Sequence, residues 1–316
     1  MKAVSKAHRH QPVKSLHPDN LHRFGYDYPA LVEDYPPLQP FLQRNITGAL
    51  SISYADPLAV KALNTALLKH HYQINDWDIP EGALCPAVPG RADYLHHMAS
   101  LLPNQSDTRP VRILDIGTGA SGIYLLLASQ IFGWHGVGTD INTASLTHLQ
   151  QILNRNPELK APIELRHQPN KHHIFEGIIQ PDEFFDITVC NPPFHSSLEE
   201  ARKSNYRKRK NLGLQHQTLN PLNFGGQGAE LWCNGGEPLF LKKIAKESAQ
   251  FAQQCLWFSS LISRQDNVRP MQKQLRKLAA TQIKVIEMQQ GQKLTRIIAW
   301  TFQSVAETAP VIPKLS

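Results

Sequence analysis

Apolar residues recur along this chain at two spacings, and the change from one to the other divides it near residue 105. Ahead of that point they follow the helical period. Asp56-Pro57 predicts a helix start, with the aspartate as cap and the proline in the first turn, and Leu58, Ala62, Leu63, Ala66 and Leu67 form one apolar stripe. Pro80, Pro86 and Pro89 break the next stretch into a loop. A second helix is predicted from near Arg91, carrying Tyr94, Leu95, Met98, Leu101 and Leu102, and Pro103 to Pro110 reads as a polar linker. Between residues 28 and 40 aromatics and prolines alternate without a period, which predicts an ordered but irregular segment. Residues 1–27 are rich in Lys, Arg and His and show little apolar periodicity, so they are expected to form a mobile basic arm with solvated histidines.

From Val111 short β-branched runs alternate with helical stripes. Strands are expected at 111–116, 133–141, 163–167, 186–190 and 255–263, with a closing pair at 283–288 and 296–302 around Gly291. Helices are expected at 123–131, 143–154, 239–253 and 270–280. Strand and helix in alternation predict an α/β domain, a mostly parallel seven-stranded sheet covered by helices on both faces. The expected organisation is a basic arm (1–27), a mainly helical module (28–105) and the α/β domain (106–316).

Composition narrows the partners. The formal net charge of +7 over 316 residues suits a polyanion. The four cysteines, Cys85, Cys190, Cys233 and Cys255, form no CxxC pair, so neither a disulfide framework nor a metal site is expected. No apolar run approaches a membrane span, and the first residues lack the apolar core of a secretory signal. A cytoplasmic protein without metal or membrane attachment is the expectation.

Two motifs carry chemistry. The strand at 186–190 ends in Asn191-Pro192-Pro193-Phe194. The prolines cannot extend a ladder, so Asn191 is left at a strand's carboxyl end, where open α/β sheets bind ligands. There an amide and backbone carbonyls can accept both hydrogens of a planar amine, with an aromatic ring against its face. The other motif is Gly117-Thr118-Gly119-Ala120-Ser121-Gly122, between a strand and a helix, followed by Asp140 at the end of the next strand. This pattern cradles a nucleotide: glycines admit its backbone and the acid accepts from ribose hydroxyls. Alone it fits NAD or S-adenosylmethionine. Asn-Pro-Pro-Phe decides for the latter, since hydride transfer needs no amine clamp and amine methylation does.

Asp115-Ile116-Gly117-Thr118-Gly119 with Asn191-Pro192-Pro193-Phe194 resembles the class I S-adenosylmethionine-dependent methyltransferases, whose fold is Rossmann-like. With Pro86-Ala87-Val88-Pro89-Gly90-Arg91-Ala92-Asp93-Tyr94 upstream and a basic stretch downstream, the chain is similar, from about Tyr35 to Phe302, to the bacterial 23S ribosomal RNA adenine-N6 methyltransferases. The resemblance implies that Arg91 pairs with the methionyl carboxylate of the cofactor. Asp115 is expected near the methionine amino group, Gly117 and Gly119 against the cofactor, and Asp140 on its ribose. Asn191 and the Pro192 carbonyl would hold the N6 amine of adenine, Pro193 would stiffen the turn and Phe194 would stack on the flipped-out base. Arg202, Lys203, Arg207, Lys208, Arg209 and Lys210 form the densest charge cluster in the chain, expected to grip RNA phosphates. A protein glutamine methyltransferase and a non-catalytic RNA-binding module are the competing readings; the basic cluster speaks against the former.

Overall fold

The computed structural model describes residues 16–81, 83–103, 109–193, 235–290 and 293–304. Its centre is a seven-stranded sheet. The strands are β3 (Arg112–Ile116), β4 (His135–Asp140), β5 (Ile163–His167), β6 (Phe185–Cys190), β7 (Cys255–Ile262), β8 (Gln282–Gln290) and β9 (Lys293–Thr301). They lie in the order β5-β4-β3-β6-β7-β9-β8. From β5 across to β7 neighbours are parallel, whereas β9 runs antiparallel to both β7 and β8.

The inner strands β3, β6 and β7 are buried along almost their whole length because both faces are covered, whereas the edge strand β5 is only partly buried. Ile113, Val189 and Ile297 enter one core, while their neighbours Leu114, Cys190 and Ile298 enter the other. That is the two-residue alternation of a pleated strand. Helices α2 (Pro57–Tyr72), α3 (Val88–Ala99), α4 (Ile123–Phe132) and α5 (Thr143–Asn154) contribute to the first core. Helices α6 (Gly236–Ser248) and α7 (Val268–Lys277) contribute to the second. The amino-terminal helices therefore share a core with the sheet rather than building one of their own. Asp56 caps α2 by accepting from the Leu58 N–H at 2.9 Å. Of the predicted stripe, Ala62, Leu63, Ala66 and Leu67 are buried, but Leu58 faces outward.

Four differences from the sequence expectations have local causes. The segment at 28–40 is regular: it forms helix α1 (Tyr28–Asp34), capped by Asp27, and a 3-10 turn at Pro36–Phe41. A hairpin follows, β1 (Leu42–Arg44) with β2 (Leu50–Ile52). Its turn is built by Asn45 Oδ1, which accepts from the Thr47 and Ala49 N–H groups. Helix α6 starts at Gly236, three residues before the predicted Leu239. Its Glu237 is turned inward, where it accepts from the Ser263 N–H (2.7 Å), the Arg264 N–H (3.3 Å) and Asn267 Nδ2 (2.5 Å).

The fourth concerns the arm expected over residues 1–27. From Leu16 the chain is anchored on α3: Asp93 Oδ1 accepts from the His17 N–H at 2.7 Å and from Asn20 Nδ2 at 3.0 Å. His22 is buried, and its Nε2 lies 2.8 Å from the Tyr72 hydroxyl. Burial lowers the His22 pKa to about 3, with His71 next in effect, so it is neutral at any ordinary pH. The solvated-histidine expectation fails here because α2 and α3 form a surface that these side chains fill. No helix among the described residues is long and apolar enough to cross a membrane.

Candidate active site

Residues from four strand ends and two helices meet at the carboxyl edge of the sheet. Strand β3 pairs Ile116 with Thr139 of β4 on one side and with Cys190 of β6 on the other. The chain goes from β3 outward to β4 and β5, then returns to β6 and β7 on the opposite side. The crevice between β3 and β6 is therefore the switch point at which open α/β sheets take their ligands.

The glycine loop follows β3. Gly117, Gly119 and Gly122 have φ of +70°, +64° and +56°, which other residues adopt only at a cost. The loop folds back on β4: the Gly117 and Thr118 N–H groups donate to the Thr139 carbonyl at 2.9 and 3.0 Å. Asp140 closes it, with Oδ2 accepting from the Gly119 N–H (2.9 Å) and Oδ1 from the Asn142 N–H (2.8 Å). The carboxylate expected to face a ribose is thus also the brace of the loop. Burial raises its pKa, opposed by these N–H donors.

Asp115 is almost fully buried, and its Oδ2 has no hydrogen-bond partner. Burial pushes its pKa up to about 7; the Asp140 charge adds to the rise, while Thr118 and Arg91 oppose it. The hydroxyls of Thr118 and Thr139 are likewise buried and unpartnered. Each such atom costs about 1–3 kcal/mol while unpaired, so a cluster of them marks a place built for polar ligand atoms. The set offers a carboxylate for an ammonium and hydroxyls for hydroxyls, and S-adenosylmethionine presents both.

Arg91 lies in the first turns of α3. Its Nη1 donates to the Tyr124 hydroxyl at 2.6 Å, and its guanidinium carbon stands 5.3 Å from the centre of the Tyr124 ring. Tyr124 is in α4, directly after the glycine loop, so the arginine is tied to the loop's own helix. Sequence reasoning named Arg91 but missed Tyr124; its place two residues after Gly122 was the available signal.

Asn191 emerges from β6 into a cavity also lined by Gly90, Arg91, Ser263, Met288 and Thr295. Gly117 and Gly119 do not line this cavity; they stand at the neighbouring strand end. The Asn191 Oδ1 is buried without a partner. Sequence reasoning placed Tyr94 in an apolar stripe and at the end of the Pro86–Tyr94 motif but gave it no role; its hydroxyl lies 2.8 Å from Ser259 Oγ and 3.4 Å from the Cys190 N–H. The described part of the turn comprises Asn191, Pro192 and Pro193. Phe194 and the basic cluster Arg202, Lys203, Arg207, Lys208, Arg209 and Lys210 lie outside the described residues.

Away from the crevice, His17, Asp19 and His96 bring three potential metal-ligand atoms within 4.8 Å of one another. His17 Nδ1 already accepts from the Asp19 N–H at 3.2 Å and Nε2 lies 2.9 Å from Ser100 Oγ, so this group also latches the amino-terminal segment to α3.

Known proteins place the chain in a family and share its fold. A family model described as RNA methyltransferase matches residues 10–304. The chain is 54% identical to a ribosomal RNA large subunit methyltransferase F of a Shewanella species, over 93% of this chain and 84% of the relative. It is also 54% identical to the protein of that name from Saccharophagus degradans, over 92% and 96%. Among solved structures, the human Mettl16 catalytic domain in complex with a MAT2A 3'UTR hairpin superposes with a TM-score of 0.77 at 28% identity, covering 92% of this chain and 97% of that one. The amino-terminal domain of human METTL16 in complex with SAH gives 0.73 at 26%, over 92% and 100%. With the switch-point crevice, the braced glycine loop and a family match over nearly its whole length, the chain belongs to the RNA methyltransferases.

Proposed function

We propose that the protein transfers a methyl group from S-adenosylmethionine to the N6 amine of an adenine in 23S ribosomal RNA, in the cytoplasm. The observation that carries this is the buried, unpartnered Asn191 Oδ1 at the end of β6, in a cavity shared with Arg91. The names of the relatives supply the class of RNA.

Bound S-adenosylmethionine supplies an electrophilic methyl group on a sulfonium centre. Arg91, oriented by Tyr124, takes the methionyl carboxylate, and the guanidinium fork suits that anion. Asp115, in its ionised form, holds the amino group. Gly117 and Gly119 let the backbone approach, and Asp140 has lone pairs left for ribose hydroxyls. On the acceptor side, Asn191 Oδ1 and the Pro192 carbonyl accept the two hydrogens of the adenine amine. Both bonds return electron density to a nitrogen whose lone pair is otherwise delocalised into the ring. The carboxamide need not remove a proton; positioning and local dipoles provide the rate. Pro193 stiffens the turn, Phe194 stacks on the base, and the six cations from Arg202 to Lys210 hold phosphates.

The test is methyl transfer from labelled S-adenosylmethionine into 23S ribosomal RNA, with methyladenosine mapped by mass spectrometry in RNA from cells lacking the protein. Asn191→Ala should lower the rate roughly 100-fold or more while cofactor affinity stays within about threefold. Undiminished activity in that variant sinks the role of Asn191. Label entering protein glutamine instead of RNA would favour the competing methyltransferase reading.

A further inference from the structure

At the carboxyl ends of β6 and β7 the pairing changes character. The parallel ladder joins Phe185 to Cys255 and Ile187 to Trp257, and no further residue pair follows, although β6 stays paired with β3 as far as Cys190. Beyond Ile187 side chains take over. The Thr188 carbonyl accepts from Ser259 Oγ at 2.5 Å, and the Ser259 N–H donates to Thr188 Oγ1 at 3.3 Å. The Cys190 N–H, one residue before Asn191, reaches the Tyr94 hydroxyl at 3.4 Å. Tyr94, Thr188, Cys190 and Ser259 are all essentially without solvent exposure.

Proton counting fixes the direction of this chain. A serine hydroxyl has one proton, and that of Ser259 is committed to the Thr188 carbonyl. Ser259 Oγ must therefore accept the Tyr94 proton across their 2.8 Å contact. The Tyr94 oxygen is left with lone pairs for the Cys190 N–H. The series runs Cys190 N–H to Tyr94 to Ser259 to the Thr188 carbonyl, each group donating to the next. The same Tyr94 ring meets the Tyr124 ring edge-on, with centroids 5.4 Å apart and planes at 89°. Tyr124 in turn receives Arg91. One side chain from α3 thus touches both halves of the crevice: its hydroxyl holds the strand end that carries Asn191, and its ring backs the tyrosine that holds Arg91.

We propose that Tyr94 is a positioning residue for methyl transfer: its hydroxyl, inserted between the ends of β6 and β7, sets where Asn191 presents its carboxamide. This rests on the reading of Asn191 given above. It assigns two separable duties to one residue, the hydroxyl to the acceptor and the ring to the cofactor. A tyrosine that merely fills the core would show no such division.

The experiment compares Tyr94→Phe, Ser259→Ala, the double variant, Tyr124→Phe and Asn191→Ala in the full chain, with 23S ribosomal RNA as substrate. Calorimetric binding of S-adenosylmethionine serves as the check on folding. Tyr94→Phe should lower kcat roughly tenfold with cofactor Kd within about twofold. Ser259→Ala should do the same, and the double variant should be no worse than the more affected single one, because both break one hydrogen-bonded series. Tyr124→Phe should raise KM for the cofactor more than it lowers kcat. Wild-type kcat in Tyr94→Phe, or losses that simply multiply in the double variant, overturns the proposal. So does a Tyr94→Phe defect that tracks lost folding and lost cofactor binding alone. If Asn191→Ala keeps its activity, the reading beneath the proposal falls instead, which the same series reveals separately.

Discussion

The two halves of the crevice are built by different means. On the β3–β4 side the ligand surface is made from backbone: three glycines at positive φ, N–H groups bonded to the Thr139 carbonyl, and a carboxylate that braces the loop. Nearly all of it lies between residues 115 and 142. On the β6–β7 side the surface is made from side chains brought from far apart: Tyr94 meets Ser259 across 165 positions of sequence, and Ser259 meets Thr188 across 71. A backbone-built site should fail when volume is added and tolerate changes of hydroxyl chemistry around it. A side-chain-built site should tolerate small losses of volume and fail when a single hydrogen bond is removed.

The largest expected effect sharpens the first half of that contrast. A Cβ at Gly122 would stand 2.2 Å from Leu149 Cδ1, in a φ of +56° that side chains rarely adopt. Gly122→Ala should therefore cost on the order of 3 kcal/mol of stability, from left-handed strain and overpacking together. Denaturant unfolding measures it, and a variant as stable as the parent would break the comparison. The contrast is with Tyr94→Phe, which removes one oxygen and leaves the packing.

Next in size is Arg91→Lys. It keeps the charge but loses the fork that bonds Tyr124 and lies over its ring. Cofactor affinity should weaken about tenfold, with RNA affinity little changed. An equal loss in both would mean that the arginine serves the RNA side of the crevice.

The smallest effect is a pH dependence. Asp115, at a pKa of about 7 in the free protein, must be ionised to hold an ammonium group. Binding S-adenosylmethionine below that pH then releases a proton, so affinity should fall about fivefold between pH 7 and pH 6. Calorimetry at two pH values checks this, and Asp115→Asn should bind more weakly with a flat profile. The sign for stability is opposite. A carboxyl whose folded pKa exceeds its unfolded value stabilises the cofactor-free fold at acid pH, and that contribution is lost as pH rises from about 4 toward 7. A flat profile in the parent protein would mean that Asp115 is already charged there.

Much of the fold was legible because its causes are local. The order and kind of the strands and helices from β3 onward follow from apolar period, the start of α2 from Asp56 and Pro57, and the end of β6 from its prolines. Where expectation failed, a distant partner was responsible. The 16–24 segment was expected to be mobile because it is basic and shows little apolar period; Asp93 and Tyr72 exist as partners for Asn20 and His22 only once α2 and α3 are packed. Helix α6 begins before the predicted Leu239, where Glu237 meets donors from the loop after β7.

The amino-acid order by itself determined the alternation of elements, the glycine turn and the proline-stopped strand that leaves Asn191 at a sheet edge. These depend on φ restriction and periodicity over a few residues. Only the tertiary structure decided that Asp115 would be buried to a pKa of about 7, that Arg91 would lean on Tyr124, and that a tyrosine from α3 would sit between β6 and β7. Those outcomes depend on which surfaces exclude water and which buried donors remain unpaired after packing, and the whole chain settles both.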